Sequence, residues 1–341
     1  MSRLKERKLT NLNRGDLMDG IFSSFGISDV SDISEIGNGN INKTYHIKSK
    51  SGEYILQNIN GDVFKNPEAV MKNISEICKI FADSDISVPE YLCADNKNFV
   101  FYNGQYWRMY RFIDDCGDFR PKDKNKLYGM TFGRFIRIVN SKKFKPEMTI
   151  ENFHNFGFYL NRLNSAMSGS SLKKIDSGII MRLRSLNDSL EHIFSADFPK
   201  RIIHGDAKKD NVMLGSIQYV IDLDTVMTGY AALDYGDIVR SVCTEKSIDT
   251  ADLRSLTKGF AEGLGGILSA DEINSLYYGL LWVTGELAVR YMTDWLGKDR
   301  YFTAKPPTEC LKRANELLSQ LNIFVNSGDK ITDIIYSAFQ I

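Results

Sequence analysis

The segment HGDAKKDN, residues 204–211, places two aspartates, two lysines and an asparagine within eight positions. Asp206 follows an apolar run and a glycine, so its carboxylate can project from a constrained loop. Lys208 adds a cation to the same loop, and Asn211 adds a neutral amide oxygen. A carboxylate that accepts a hydroxyl proton, with a cation and an oxygen ligand beside it, is the chemistry that phosphoryl transfer needs.

A second charged segment, YVIDLDT at residues 219–225, ends an apolar run with Asp222. Mg²⁺ typically takes few protein oxygens and fills its remaining positions with water and phosphate oxygens. Asn211 and Asp222 are therefore predicted to hold a magnesium ion. Either segment alone would be interpreted as a solvated surface loop, and it is their occurrence together, in this order, that favours a site.

The composition limits the partners. Among 341 residues, 43 Lys and Arg balance 43 Asp and Glu, so no global field favours nucleic acid or an anionic membrane. The N-terminus lacks the apolar core of a signal peptide, and the five cysteines show no CxxC pairing. We therefore expect a cytoplasmic protein without nucleic-acid or membrane partners, and the sequence leaves its oligomeric state open.

The first third of the chain predicts the element order strand, strand, strand, helix, strand, strand. Asn66 is a predicted N-cap with Pro67 at the first helical position. Asn103-Gly104 predicts a hairpin turn between the last two strands.

Beyond Asp114 the pattern becomes helical, interrupted by two short strands, RIIHGD and YVIDLD, that flank the charged loop. The sequence therefore predicts an α+β protein with a lobe boundary near residues 113–120, giving lobes 1–113 and 114–341. The predicted helices lie around residues 125–140, 149–167, 175–194, 251–266, 271–296 and 306–324.

The HGD-x-x-x-x-N loop with its following ID segment resembles the kinase-like phosphotransferase family that includes aminoglycoside and choline kinases. Four stretches between about residues 35 and 302 resemble its N-acetylhexosamine 1-kinase branch: IGNGNINKTYHIKSKSGEYILQNIN, YWRMYRFID, IDLDTVMTGYAALDYGDIVRSVCT and GELAVRYMTDWLGKDRYF. The resemblance implies a two-lobed protein-kinase-like fold, with a small mixed β-sheet in a nucleotide-binding N-terminal lobe. The mainly helical C-terminal lobe would carry the catalytic loop and the substrate site.

The same resemblance implies ATP and Mg²⁺ as cofactors and the anomeric hydroxyl of GlcNAc or GalNAc as acceptor. Asp206 would be the catalytic base and contact that hydroxyl, and Lys208 would approach the γ-phosphate. Asn211 and Asp222 match the metal ligands of the family, and Asp224 would be a further metal contact.

The resemblance also implies a nucleotide site and a sugar site, formed by two further sets of residues. Gly37, Asn38 and Gly39 would cover the phosphates, although a plain hairpin turn is the alternative. Gln57 stands where the broader class has a lysine, which leaves Glu76 without an obvious ion-pair partner. The implied sugar contacts are Asn40, Arg290 and Tyr301; the branch can carry His in place of Asn40, which leaves the preferred sugar open.

Several alternatives stay open at this point. Glu286 and Arg290 could form an ordinary i,i+4 ion pair. Asp234 and Asp237 are expected to cap a helix or brace the catalytic loop, and His204 to be a structural histidine. A kinase of an amino alcohol or aminoglycoside is the first rival function, and a nucleotide-binding pseudokinase is the second.

Overall fold

The computed structural model describes residues 18–36, 41–114, 119–168, 175–244, 247–297, 302 and 306–340. They form two compact units. The first contains the described residues up to Ser75 together with Pro89–Asp114, and the second contains Glu76–Val88 and the described residues from Asp115 onward. The division at Ser75 falls inside a helix, which the sequence did not indicate.

The first unit has a five-stranded sheet in the order β1-β2-β3-β5-β4. The predicted element order is confirmed. A mixed sheet was expected, but all four strand pairs are antiparallel, so the sheet is purely antiparallel. Asn103 and Gly104 at the β4–β5 turn have φ values of 49° and 76°, the left-handed conformations that a two-residue hairpin requires. The elements are α1 (18–24), β1 (Val30–Glu35), β2 (Lys43–Ser49), β3 (Gly52–Ile59), α2 (Pro67–Phe81), β4 (Val100–Tyr102) and β5 (Gln105–Arg111).

One face of this sheet packs against α1 through alternating residues of three strands. Because side chains alternate between the two faces of a strand, the residues between them point to the opposite face. Gln57 and Arg108 are such residues, and the β3–β5 register places them directly opposite each other. The buried residues that the sheet contributes to the α1 side are Tyr45, Ile47, Tyr54, Leu56, Trp107 and Met109.

Helix α2 begins as predicted. The side chain of Asn66 accepts a hydrogen bond from the Ala69 amide at 3.2 Å, and Pro67 occupies the first helical position. Glu76, which the sequence left without an obvious partner, forms an exposed ion pair with Lys79 at 2.6 Å. The partner of Glu76 therefore lies one helical turn further along α2 itself.

The second unit is mainly helical, which confirms the α+β fold class. Helix α4 begins at Phe156 rather than near residue 149, because Asn152 and His154 have φ values of 56° and 55° that a helix does not allow. Helix α10 was not predicted. The elements are α3 (Lys124–Asn140), α4 (Phe156–Ser168), α5 (Ser177–Ile193), β6 (Arg201–Ile203), β7 (Val212–Leu214), β8 (Gln218–Val220), β9 (Met227–Gly229), α6 (Ala231–Val242), α7 (Thr250–Leu264), α8 (Ala270–Leu296), α9 (Pro307–Asn326) and α10 (Gly328–Phe339).

Helices α3 and α7 approach closely because each carries two glycines four residues apart. A Cβ atom on Gly129 would lie 2.0 Å from the carbonyl oxygen of Leu256, and one on Gly259 would lie 2.0 Å from that of Lys126. Any larger residue at either position would push the backbones apart. The close packing fixes α3, whose last residue, Asn140, supports the charged loop described below.

Helix α8 is the longest, with 27 residues, and it begins with a capping box formed by Ser269 and Glu272. It buries ionisable side chains, among them Glu286 and Arg290. Among the described helices, none combines the length and the apolar content that crossing a bilayer requires.

Candidate active site

The charged loop starts at the end of β6, and three other elements hold this strand. β6 pairs with β9 in an antiparallel ladder. The side chain of Asn140 donates to the Ile202 carbonyl at 2.8 Å and accepts from the Ile202 amide at 2.9 Å. Arg201 binds both carboxylate oxygens of Glu272, at 2.7 and 2.8 Å. A three-residue strand is thereby fixed well enough to aim the loop that follows it.

Gly205 makes the turn at which the loop leaves the strand. Its φ is 79°, and a Cβ atom there would lie 2.5 Å from the carbonyl oxygen of Thr225, so only glycine fits. Thr225 also donates through Oγ1 to the His204 carbonyl at 2.9 Å. The two charged segments predicted from the sequence are therefore in direct contact.

His204 is fully buried and links the same two segments. Its Nδ1 accepts from the Asp206 amide at 3.2 Å, so Nε2 carries the proton and donates to the Ile221 carbonyl at 3.0 Å. The rings of Phe132 and Phe135 pack edge-on against it. The interpretation of His204 as a structural residue agrees with these contacts.

Helix α6 braces the loop from below. The carboxylate of Asp234 accepts the His204 amide at 2.7 Å and the Gly205 amide at 2.9 Å. Seven residues later on the same face, Ser241 accepts the Lys209 amide at 2.8 Å. Burial raises the pKa of Asp234 to about 6, against the effect of its two backbone donors. The expectation that Asp234 braces the loop is confirmed, whereas Asp237 instead forms a buried ion pair with Arg240.

Asp206 and Lys208, the predicted catalytic residues, form an ion pair in the loop. Lys208 Nζ lies 2.6 Å from Oδ2 of Asp206, and the two side chains are 30% and 28% exposed. Asn211 Nδ2 donates to the same oxygen at 3.1 Å. Among the described residues, both side-chain contacts therefore use Oδ2, and Oδ1 is the carboxylate oxygen that could accept a hydrogen bond from a substrate hydroxyl. Burial works against ionisation of Asp206, but Lys208 outweighs it and holds the pKa of Asp206 below its usual value. Asp206 is therefore a carboxylate at neutral pH.

The predicted metal ligands lie next to one another. The Ile221 amide donates to the Asn211 carbonyl at 3.0 Å, which brings Asp222 beside the loop. Asp222 has a left-handed backbone, with φ of 61°, and Asp224 is buried in the short 3₁₀ turn Leu223–Thr225. Since Asn211 binds Asp206 through its amide nitrogen, its amide oxygen is not needed for that contact. Amide and carboxylate oxygens are ligands that suit Mg²⁺.

No group of three or more His, Cys, Asp or Glu side chains in the described part of the chain is arranged to hold a metal by itself. A magnesium ion bound at Asn211 and Asp222 would therefore depend on oxygens from a nucleotide and from water. This is the usual way in which Mg²⁺ binds in phosphoryl-transfer sites.

Five of the predicted ligand contacts lie outside the described residues. They are Gly37, Asn38 and Gly39 of the nucleotide site and Asn40 and Tyr301 of the sugar site.

Gln57 is half-buried in β3, where its Oε1 accepts from Arg108 Nε at 2.9 Å and its Nε2 donates to Thr44 at 3.1 Å. Arg108 is 1% exposed, and its guanidinium lies 5.7 Å from the centre of the Tyr91 ring. The neutral glutamine therefore has the cation of Arg108 beside it.

Arg290 lies on α8 in a setting built for a cation. Its Nη1 is 3.8 Å from Oε1 of Glu286, so the ordinary i,i+4 ion pair is present. Its guanidinium also lies 5.4 Å from the ring centre of Phe153, 5.0 Å from Tyr159 and 5.5 Å from Phe302. The side chain is 8% exposed, so little of it is open to a ligand in this conformation.

Sequence reasoning missed several residues that hold the charged loop or pair with a predicted site residue. Arg108 and His154 act across long separations in the chain, and no local pattern identifies them. Ser241 could have been found, because it lies seven residues after Asp234 and a helix presents such positions on one face. Asn140 at the end of α3 gave no signal.

Comparisons with known proteins agree with this geometry. Residues 143–266, which include the whole charged loop, match the family model of the phosphotransferase enzyme family. A solved spectinomycin phosphotransferase, APH(9)-Ia, in complex with ADP and spectinomycin, is 16% identical, with 96% of this chain and 98% of that chain covered and a TM-score of 0.55. Choline kinase LicA from Streptococcus pneumoniae is 13% identical, with 90% and 99% covered and a TM-score of 0.56.

A third solved structure, a choline/ethanolamine kinase family protein from Mesorhizobium loti, is 12% identical, with 89% and 92% covered and a TM-score of 0.57. At such identities these structures show the fold alone, which is that of aminoglycoside phosphotransferases and choline kinases. The segment that contains the charged loop is similar to the phosphotransferase enzyme family.

Proposed function

We propose that this protein transfers the γ-phosphoryl group of Mg·ATP to a hydroxyl of a small molecule, and that the acceptor is the anomeric hydroxyl of an N-acetylhexosamine. The observation that carries the proposal is the Asp206 centre. A partly exposed carboxylate, ionised at neutral pH, lies 2.6 Å from a lysine ammonium and 3.1 Å from an amide that can bind a metal. A loop that only faced solvent would not require such bracing of its backbone.

In this proposal Oδ1 of Asp206 accepts the proton of the acceptor hydroxyl, and Lys208 neutralises negative charge on the transferred group. Asn211 and Asp222 hold the magnesium ion, with Asp224 as a further contact, and ATP supplies the phosphoryl group. The first unit would bind the nucleotide, with Gln57 and its neighbour Arg108 near the phosphates. The expected location of such an enzyme is the cytoplasm.

Arg290 supports a neutral acceptor rich in oxygen atoms. Three aromatic rings and one carboxylate are the groups that would attract a quaternary ammonium or an amine. Here the guanidinium of Arg290 already occupies the space between these rings and the carboxylate. A guanidinium offers donors to hydroxyl or acetamide oxygens, and it would repel a cationic substrate.

The first rival is a kinase of an amino alcohol or an aminoglycoside. It is favoured by the fold, since the solved structures of this fold include choline kinases and an aminoglycoside phosphotransferase. The cation at Arg290 argues against it. A pseudokinase is less consistent with the retention of Asp206, Asn211 and Asp222 together.

A coupled ADP-release assay tests the proposal across N-acetylhexosamines, hexoses, choline, ethanolamine and aminoglycosides. We expect acceptor-dependent ADP release with GlcNAc or GalNAc, and none with the cationic acceptors. Turnover with choline or an aminoglycoside alone would establish the first rival. ATP binding without transfer to any acceptor would establish the second.

A further inference from the structure

His154 lies outside every sequence motif that pointed to the site, yet it contacts the catalytic loop. It belongs to the irregular segment before α4, and its φ of 55° is unusual for a residue with a side chain. Its side chain is 9% exposed. A backbone held in a disfavoured conformation needs stabilising contacts around it. The side chain of His154 makes two such contacts, one with the charged loop and one with α8.

The first contact is with the residue that precedes the catalytic base. His154 Nε2 donates to the Gly205 carbonyl at 2.7 Å. Asp234 accepts the Gly205 amide on the other side of the same residue. The backbone of Gly205 is therefore fixed at both ends, and the direction in which Asp206 projects depends on both contacts.

The second contact is with α8. Nδ1 of His154 lies 3.6 Å from Oε1 of Glu286, an ion-pair distance that is longer than a hydrogen bond. Glu286 is 2% exposed and is itself fixed by the indole N–H of Trp282 at 3.0 Å and by the Arg290 pair. A continuous series of contacts thus runs from Arg290 through Glu286 and His154 to Gly205.

From this geometry we infer that His154 is a positioning residue for Asp206, and that it couples the Glu286–Arg290 pair on α8 to the catalytic loop. The inference rests on the proposed function and adds a residue to it. Glu286 then has a role besides pairing with Arg290, since it holds the imidazole that fixes Gly205.

The charges around His154 agree with a protonated ring. Glu286 faces it from α8 and shares its Oε1 with Arg290, Asp237 acts on it from α6, and the Gly205 carbonyl faces it from the loop. Burial opposes protonation, but Glu286, the Gly205 carbonyl and Asp237 outweigh it and raise the pKa of His154. An imidazolium can donate to Gly205 through Nε2 while its Nδ1–H pairs with Glu286, whereas a neutral imidazole with its proton on Nε2 makes only the first contact.

The kinetic test compares His154→Ala and His154→Gln with His192→Gln, a control at an exposed histidine on α5. We expect kcat to fall about 10- to 100-fold in His154→Ala, since small displacements of a catalytic group have effects of this size, while KM for ATP stays near the parent value. His154→Gln should recover part of the loss, because its amide N–H can reach the Gly205 carbonyl. Parent-like kcat in both variants would overturn the inference.

A second measurement does not depend on activity. In amide NMR spectra, His154→Gln should shift the signals of Gly205 and Asp206, and His192→Gln should leave them in place. If the parent protein phosphorylates no acceptor, the proposed function fails while these shifts still decide the positioning role. Unchanged Gly205 and Asp206 signals would refute that role even in an active enzyme.

Discussion

The charged loop of the second unit and the Gln57–Arg108 pair of the first unit use opposite means to place a cation beside a polar side chain. Lys208 lies two residues from Asp206 in the chain, and both side chains are about 30% exposed. Arg108 lies 51 residues from Gln57 and is almost completely buried. The first arrangement leaves its charges free to meet a ligand, whereas the second holds its charge inside the fold.

The difference shows how each region can be changed without unfolding the protein. The loop backbone is held by contacts with α6, β6 and Thr225, so its partly exposed side chains, Asp206 and Lys208, can be substituted with small effects on stability. The Gln57–Arg108 pair is itself part of the sheet packing, so a substitution there changes stability and ligand affinity together. The following predictions separate these two cases, starting with the largest expected effect.

Asp206→Asn should remove most turnover and leave the fold intact. The amide keeps the shape of the carboxylate but cannot accept a proton, and general-base catalysis typically contributes about 10²–10⁴-fold. The matched control is Asp210→Asn, which changes an exposed aspartate of the same loop. Steady-state kinetics and ATP affinity check this, and a parent-like rate in Asp206→Asn would remove Asp206 from the role of base.

Asp234→Ala should destabilise the protein and lower kcat as well. It leaves the amides of His204 and Gly205 without their acceptor, and each buried group left unsatisfied costs about 1–3 kcal/mol. Asp188→Ala, at an exposed position of α5, is the control. Denaturant unfolding measures the free-energy change, and a loss below that of the control would show that Asp234 does not brace the loop.

These first two residues mark how much the sequence could predict. Asp206, Asn211 and Asp222 lie in short segments whose order carries the chemistry, and the strand and hairpin pattern of the first unit follows from alternation and from Asn103-Gly104. The pairing of Arg108 with Gln57 and of His154 with Gly205 depends on tertiary packing, which a single sequence does not encode in any local pattern. Helix α4 was placed too early because hydrophobic spacing does not register left-handed residues such as His154.

Asp222→Ala should shift the Mg²⁺ midpoint of activity upward, because it deletes one of the few oxygen ligands that the protein supplies. Asn211→Ala should do the same and also release Oδ2 of Asp206 from its amide donor. Asp224→Ala should have the smaller metal effect, since its side chain is buried in a 3₁₀ turn. Magnesium titrations decide this, and unchanged midpoints in Asp222→Ala and Asn211→Ala would contradict the metal assignment.

The pH dependence of stability tests the charge on His154. Because its folded pKa is raised above the ordinary value of about 6.5, protonation of His154 stabilises the fold fully below that pH and the contribution is lost as the pH rises through the folded pKa. The difference in melting temperature between the parent and His154→Gln should therefore be largest in acid and shrink toward alkaline pH. A difference that does not change with pH would show that the ring is neutral in the folded protein.

The smallest expected effect is at Gln57, where the comparison between the two regions becomes sharpest. Gln57→Ala removes the acceptor of a buried arginine N–H, so it should lower stability. It should also raise KM for ATP by the factor that corresponds to a neutral hydrogen bond of roughly 0.5–1.5 kcal/mol.

Gln57→Glu separates the two effects, since it keeps an acceptor for Arg108 and adds a negative charge. If Gln57 lies near the phosphates, Gln57→Glu should raise KM for ATP more than Gln57→Ala does, because like charges repel, while its melting temperature stays at or above that of Gln57→Ala. If Gln57 serves the sheet alone, Gln57→Glu should leave KM for ATP at the parent value. Thr44→Val, which removes the other hydrogen-bond partner of Gln57, is the control for effects that pass only through the sheet.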